Sequence, residues 1–160
     1  MKKALDCLEK SIKIITGILF VGIMAMIATQ VFTRYVMNSS LSWTEQAARI
    51  MFIWMIMLYA SVLTRNVANL GFDLLVNKMP PVLRTICIFF SEILIIAFAF
   101  FWAFQGSRFC ISVADFSFSG IKIPYNAVYS AQPIGAALIG IFGLELLVNH
   151  ILKIKKEGIK

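Results

Sequence analysis

Long apolar runs alternate with short polar breaks along the chain, and this pattern predicts four helices that cross a membrane. A hydrocarbon core about 30 Å thick needs about 20 mostly apolar residues in helical form. Such runs cover residues 11–37, 43–64, 81–112 and 124–152, the second only when its polar first turns are included. The pattern therefore predicts an all-α membrane protein with one four-helix domain over residues 1–160.

Prolines mark the predicted starts of helices three and four. Pro80-Pro81 and Pro124 each suit a first helical turn, where the missing N–H has no partner to lose. Pro133 lies inside the fourth run and predicts a kink there. The first apolar run is long for a signal peptide, and no clear small-residue cleavage site follows it, so an uncleaved helix is expected.

The segment between helices two and three, residues 66–79, is too short and too polar to span a membrane. Its apolar residues recur at helical spacing, with Asp73, Asn77 and Lys78 among them. This pattern favours a short helix on the membrane surface. An ordinary loop is the alternative.

Composition supports the membrane class. The chain is 60% hydrophobic and 14% charged, against about half and a quarter in soluble domains. The net charge of +7 does not indicate a nucleic-acid partner, because the basic residues cluster at both ends and in one loop. If the N-terminus is cytoplasmic, 11 of the 15 Lys and Arg residues lie inside. The positive-inside rule therefore predicts that both termini are cytoplasmic.

Motifs for catalysis or metal binding are not found in the sequence. The three cysteines lack metal or redox spacing, and nucleophile elbows, phosphate loops and zinc-protease motifs do not occur. The single histidine, His150, cannot supply both axial ligands of a haem and is expected to be solvated at the membrane surface. We therefore expect no enzyme activity, catalytic residue, metal site or cofactor.

Two acids, Glu92 and Glu145, lie inside predicted spans, where a charge costs about 2.5–3.5 kcal/mol on insertion scales. A contact inside the helix bundle or with a partner subunit is the expected role, and proton coupling is the alternative. Small residues also repeat at four-residue spacing on helices three and four, which favours close helix packing. These residues are Ala99, Ala103, Ser107, Ala136 and Gly140.

The start of helix two is polar. Ser42 and Glu45 form a Ser-x-x-Glu capping box, and Arg49 stands at i+4 from Glu45, where an ion pair can form. Trp43 suits the headgroup layer of a membrane. These features predict a capped helix start at the outer membrane surface.

The spacing of Trp43, Glu45 and Arg49 continues through further positions. With them, the chain resembles the small membrane subunit (DctQ-type) of tripartite ATP-independent periplasmic (TRAP) transporters. The further positions are Trp54, Arg65, Asp73, Pro124 and Pro133. That family often has a second acid, a glycine and a histidine at three positions that differ here: Gln46, Tyr59 and Asn69.

The resemblance implies a subunit of the bacterial inner membrane that, within the lipid bilayer, pairs with a large, many-helix transport subunit. A soluble periplasmic protein would capture an organic acid such as a dicarboxylate or a sialic acid, and the large subunit would carry it with sodium ions. The small subunit would scaffold the large one and help dock the binding protein near the start of helix two. The sequence agrees, because it lacks the midplane polar clusters and broken-helix pairs of an autonomous carrier.

Other classes remain open. A self-sufficient small proton-coupled exporter could use Glu92 or Glu145, but such exporters usually need an acid in helix one, and the first predicted span has none. A structural four-span subunit of another complex is the second alternative. A membrane thiol oxidoreductase would need paired cysteines outside the membrane, which the sequence lacks.

Overall fold

The computed structural model describes residues 2–37, 42–67, 80–117 and 123–157. These residues form five helices: α1 (Lys2–Val36), α2 (Ser42–Val67), α3 (Pro81–Ser112), α4 (Tyr125–Tyr129) and α5 (Ala131–Glu157). Four stretches are long and apolar enough to cross a membrane: Lys3–Val36, Trp43–Asn66, Thr85–Ser112 and Tyr125–Leu152. The predicted all-α class with four spanning helices is confirmed. Asp73 and most of the predicted surface helix lie outside the described residues.

The first helix begins earlier than the apolar run that predicted it. α1 starts at Lys2, so the charged segment before Ser11 is helical as well. Asp6 and Glu9 in this segment both contact Arg65 of α2. The charges therefore do not end the helix, because side chains of another helix are available to pair with them.

Prolines and turn hydrogen bonds define α3 and the connection that follows it. Pro80 is extended before the first turn, and Pro81 occupies the first helical position. At the other end the N–H of Val113 donates to the carbonyl of Phe109 at 3.2 Å. The N–H of Tyr125 then donates to the carbonyl of Phe116 at 2.9 Å, which holds the start of α4 beside the end of α3.

The fourth span is two helices instead of one bent helix. α4 ends at Tyr129, Ser130 forms a turn, and α5 begins at Ala131. Pro133 in the first turn of α5 lacks the N–H that would bond the carbonyl of Tyr129. The kink predicted at Pro133 is thus present as a break at Ser130, one turn earlier in the chain.

The four long helices pack in the spatial order α1, α2, α5, α3. α1 lies along α2, α2 along α5, and α5 along α3. In the described part of the chain, α3 shares no extended interface with α1 or α2, although it follows α2 in sequence. The helices therefore form an open row. We call the end at which α1 begins and α5 ends the termini end, and the opposite end the distal end.

A small apolar core joins three helices in the half nearer the termini end. Ile12 of α1, Val62 of α2 and Phe142 of α5 are buried together. Most other large apolar side chains are exposed, for example Phe98 and Phe101 on α3. Exposed apolar faces of this extent are typical of helices covered by lipid or by another membrane protein.

α5 approaches both of its neighbours through glycines. A Cβ atom on Gly135 would lie 2.8 Å from the carbonyl oxygen of Met57 on α2. A Cβ atom on Gly143 would lie 2.9 Å from Cγ1 of Ile96 on α3. Because real Cβ atoms do not approach other atoms this closely, the position of α5 between α2 and α3 depends on these small residues.

Candidate functional site

Charged side chains from three helices meet at the termini end. Arg65, near the end of α2, contacts Asp6 and Glu9 on α1 and Glu145 on α5. We call these four residues the Arg65 cluster. The Nη2 atom of Arg65 donates to Asp6 Oδ1 at 2.6 Å and to Glu145 Oε1 at 2.8 Å. The Nη1 atom donates to Glu9 Oε2 at 2.5 Å.

Neighbouring side chains make further contacts with the cluster. Asn66 donates to Glu9 Oε1 at 3.0 Å, and the Lys13 ammonium nitrogen lies 2.5 Å from the same oxygen. The guanidinium carbon of Arg65 lies 5.5 Å from the centre of the Phe142 ring, within cation–π range. The planar guanidinium fork allows one cation to hold carboxylates from two helices at once.

Burial separates the members of the cluster. The side chains of Arg65 and Glu145 are only 13% and 9% exposed, whereas Asp6 is 63% exposed. Nε of Arg65 also lies 2.7 Å from Glu145 Oε2, although that oxygen lacks an aligned hydrogen bond. Charges this far from water need a partner, because an uncompensated buried charge is strongly destabilising. Arg65 and Glu145 therefore serve to join α2 to α5.

A second pair joins α5 to α3. Nδ1 of His150 on α5 lies 2.5 Å from Oε1 of Glu92 on α3. The Glu92 side chain is 7% exposed and that of His150 is 32% exposed. The Phe89 ring, one turn before Glu92, stands 6.4 Å from the imidazole centre. The histidine expected to be merely solvated is thus the partner of a buried acid.

The start of α2, at the distal end, carries an ion pair of a different kind. Arg49 Nη2 donates to Glu45 Oε1 at 3.3 Å, and both side chains are more than half exposed. Trp43 is exposed and Trp54 half-buried, while Thr44 is fully buried. The predicted Glu45–Arg49 pair is present. The side chain of Ser42, and with it the predicted capping box, lies outside the described residues.

Aromatic packing holds the distal ends of α3 and α4 together. The Phe109 and Tyr129 rings meet edge to face with centres 5.3 Å apart, and Tyr125 stacks on Tyr129 at 6.0 Å. Pro124 precedes α4 in an extended conformation, as its position at a helix start predicts. This junction is held by contacts between aromatic rings, whereas the helices at the termini end are joined by charged side chains.

The small residues predicted to pack closely behave differently along α3. Ala99 is buried and Ala103 is half-buried, and on α5 Ala136 and Gly140 are buried. Ser107 is exposed, and its hydroxyl donates to the carbonyl of Phe104 in its own helix at 2.7 Å. Beyond Ala103 the contact passes to Gly106, where a Cβ atom would lie 3.3 Å from Pro133.

One side of the row carries a groove lined by apolar side chains. It encloses about 820 Å³ between α2 and α3, and Ala99 and Ala136 are among its lining residues. Beside the Arg65 cluster lies a polar cavity of about 260 Å³. In the four described segments no three His, Cys, Asp or Glu residues are grouped to hold a metal ion.

Sequence reasoning singled out Arg65, Glu92 and Glu145 but missed their partners. Asp6, Glu9 and His150 were not predicted as site residues, because charged residues near helix ends usually face water. A signal was present in the sequence: charges of opposite sign occur at a similar distance from the predicted inner surface in several helices.

Comparison with known families assigns most of the chain. Residues 23–153 match the family model described as tripartite ATP-independent periplasmic transporters, DctQ component. The match includes two of the four residues of the Arg65 cluster, Arg65 and Glu145, and both members of the Glu92–His150 pair. Asp6 and Glu9 precede it.

Three curated proteins are similar to the chain. It is 29% identical over 124 residues to the sialic acid TRAP transporter permease protein SiaT of Haemophilus influenzae, over 77% of this chain and 20% of that protein. It is 28% identical over 150 residues to a putative TRAP transporter small permease protein of H. influenzae, over 89% of this chain and 91% of the relative. It is 27% identical over 145 residues to the C4-dicarboxylate TRAP transporter small permease protein DctQ of Vibrio cholerae, over 75% and 62%. The chain thus spans only about a fifth of SiaT.

Proposed function

Because this chain belongs to the DctQ component family of TRAP transporters, we propose that it is the scaffolding small subunit of a sodium-driven carrier of organic acids. In this proposal it holds a large, many-helix transport subunit in place and helps to dock a periplasmic substrate-binding protein. The chain itself is a non-enzymatic, multi-pass protein of the bacterial inner membrane.

The proposal rests on the buried charges, which pair with one another across helices. Arg65 and Glu145 join α2 to α5, and Glu92 and His150 join α3 to α5. In the described residues these charges are engaged with each other, and the large groove beside α5 is almost entirely apolar. A carrier acting alone would need polar groups free to bind substrate near the membrane midplane. The open row instead leaves long apolar faces for a partner subunit.

The relatives support the proposed partner and substrate class. One is a sialic acid transporter permease of which the aligned segment is 20%, so that a DctQ-like segment there belongs to a much longer permease. Another is named for C4-dicarboxylates. Sialic acids and dicarboxylates are both organic anions, and we assign this chain to a transporter of that class.

The proposed orientation places the termini end in the cytoplasm. The distribution of Lys and Arg supports it through the positive-inside rule. The exposed Trp43, Glu45 and Arg49 then face the periplasm, where the binding protein would dock.

Reconstitution tests the proposal. Proteoliposomes holding this chain alone, the large subunit alone, or both with the binding protein are given an inward sodium gradient and a radiolabelled organic acid. Uptake is expected only when all three components are present. Sodium-dependent uptake by this chain alone would refute the scaffolding role.

A charge swap tests the docking role of the distal ion pair. Glu45→Lys or Arg49→Glu is expected to lower uptake at limiting binding-protein concentration by reversing a surface charge. The double variant restores an ion pair within α2 but keeps the surface charges inverted. We expect its uptake to remain low. Full recovery in the double variant would show that the pair serves only the helix start.

A further inference from the structure

We propose that Glu92 of α3 and His150 of α5 form a proton-binding site, and that the single proton they hold keeps α3 and α5 together at the termini end. The ligand is a proton exchanged with water at that end, through the exposed third of His150. The inference rests on the geometry of this pair and is independent of the transport role proposed above.

The first observation is the environment of Glu92. One carboxylate oxygen lies 2.5 Å from Nδ1 of His150, and the other, Oε2, is buried without a hydrogen-bond partner. An ionised carboxylate with a vacant oxygen in an apolar setting is costly unless a positive charge or a proton lies nearby. Among the described side chains, His150 is the group in contact with Glu92 that can supply either.

The second observation is that the pair is separate from the other charges whose side chains the structure describes. On α2, which packs against α5, the charged residue nearest this end is Arg65, and it is engaged by its own three carboxylates. On α5 itself, Glu145 is bonded to Arg65. On α3 the nearest titratable group with a described side chain is Cys87, and α4 carries only Tyr125 and Tyr129. The side chains of Arg84 and Lys153 lie outside the described part of the structure.

These contacts set the direction of the pH effect. With one proton, the pair is neutral overall, whether the proton sits on the imidazole or on the carboxyl group. When the pH rises, that proton leaves to water and Glu92 keeps a buried negative charge that no cation among the described side chains balances. Because such a charge favours hydration, the contact between α3 and α5 at this end loosens at high pH and tightens at low pH.

The single histidine makes the site directly observable. Full-length protein labelled with ¹⁵N-histidine in lipid nanodiscs gives imidazole signals from His150 alone. The midpoint of these signals with pH is expected to change when Glu92→Gln removes the carboxylate. The Asp115→Asn variant removes a carboxylate at the distal end and is expected to leave the midpoint unchanged. Identical midpoints in wild type and Glu92→Gln would overturn the proposal.

Distance measurements test the mechanical consequence. Spin labels are placed at Leu83 and Leu152, which are exposed on α3 and α5 near the termini end, after the three native cysteines are replaced by alanine. Between about pH 5.5 and about pH 8.5, a range that brackets histidine titration, the distance distribution is expected to shift to longer values. A second labelled pair at Ile111 and Ile134, both exposed near the distal end, is expected not to change and reports whether each variant is folded.

Two variants decide the outcome. Glu92→Gln is expected to abolish the pH-dependent shift, because this variant has no carboxylate at position 92 to become unbalanced. His150→Gln leaves the Glu92 carboxylate without the imidazole that shares its proton, so its distance profile with pH is expected to differ from that of the wild type. The second variant keeps the test usable if the first does not fold. A shift of equal size in Glu92→Gln, or no shift in the wild type, would overturn the proposal.

Discussion

At the termini end Arg65 contacts carboxylates from two other helices, whereas at the distal end Arg49 contacts one carboxylate of its own helix. The Arg65 side chain is 13% exposed and that of Arg49 is 57% exposed. Exposed pairs at i,i+4 contribute a few tenths of a kcal/mol, while breaking a buried pair costs several. Two arginine–carboxylate contacts in one molecule thus differ about tenfold in the cost of removing one partner.

The difference teaches where this protein depends on charge. The charged contacts between helices that are distant in sequence each include a largely buried side chain, and they join neighbouring helices of the row. The exposed pair at the distal end leaves its charges available to a partner. Contacts that stabilise the fold are therefore concentrated at the termini end, and the proposed docking role belongs to the exposed charges of the distal end.

The largest effect is expected from Arg65→Met, which leaves the buried Glu145 carboxylate without its cation. The loss in free energy of unfolding should be about 3–5 kcal/mol, measured by titrating the protein from mild detergent into sodium dodecyl sulfate while following helicity. Arg65→Lys keeps the charge but loses the guanidinium fork, so its free energy of unfolding should lie between those of the wild type and Arg65→Met. If Arg65→Met has the same free energy of unfolding as the wild type, the buried arginine contact is no more important for stability than the exposed one.

An intermediate effect is expected in the middle of the row from Gly135→Ala. The new methyl group would meet the Met57 carbonyl at 2.8 Å and force α5 away from α2. Overpacking of this kind costs about 1–3 kcal/mol, read from the same titration. Gly17→Ala is the matched control, because nothing lies within 4 Å of a Cβ atom there. Equal stability of the two variants would contradict close packing of α5 on α2.

The smallest effect on stability is expected at the distal pair. Glu45→Gln and Arg49→Gln each remove half of an exposed contact, so the free energy of unfolding should change by less than about 1 kcal/mol. The same unfolding titration measures it, with Arg65→Met as the reference for a large effect. A loss comparable to that of Arg65→Met would show that the distal pair is as structural as the Arg65 cluster.

Features that depend on neighbours in sequence could be predicted. The start of α3 follows from Pro81, and the Glu45–Arg49 contact follows from helical spacing. Both need only the geometry of one helix. The buried acids were recognisable as well, since a charge inside an apolar run always needs an explanation.

Features that depend on the order of helices in space could not be predicted. Arg65 and Glu145 are 80 residues apart, and their contact requires α5 to lie beside α2. Apolar faces of similar composition on every helix do not specify which two will meet. The rotation of α3 was also hidden: Ala99 and Ser107 share one predicted face, yet packing buries the first and exposes the second.

The position of α5 between α2 and α3 has a consequence for biosynthesis. Chains enter the membrane from the N-terminus as they are translated, so α1 and α2 can pair while the rest is still on the ribosome. α3 emerges next, and its main neighbour among the described helices is α5, which has not yet been made. The contact between α3 and α5 can form only after α5 has entered the membrane. Assembly of the described row is therefore completed only when α5 has been made.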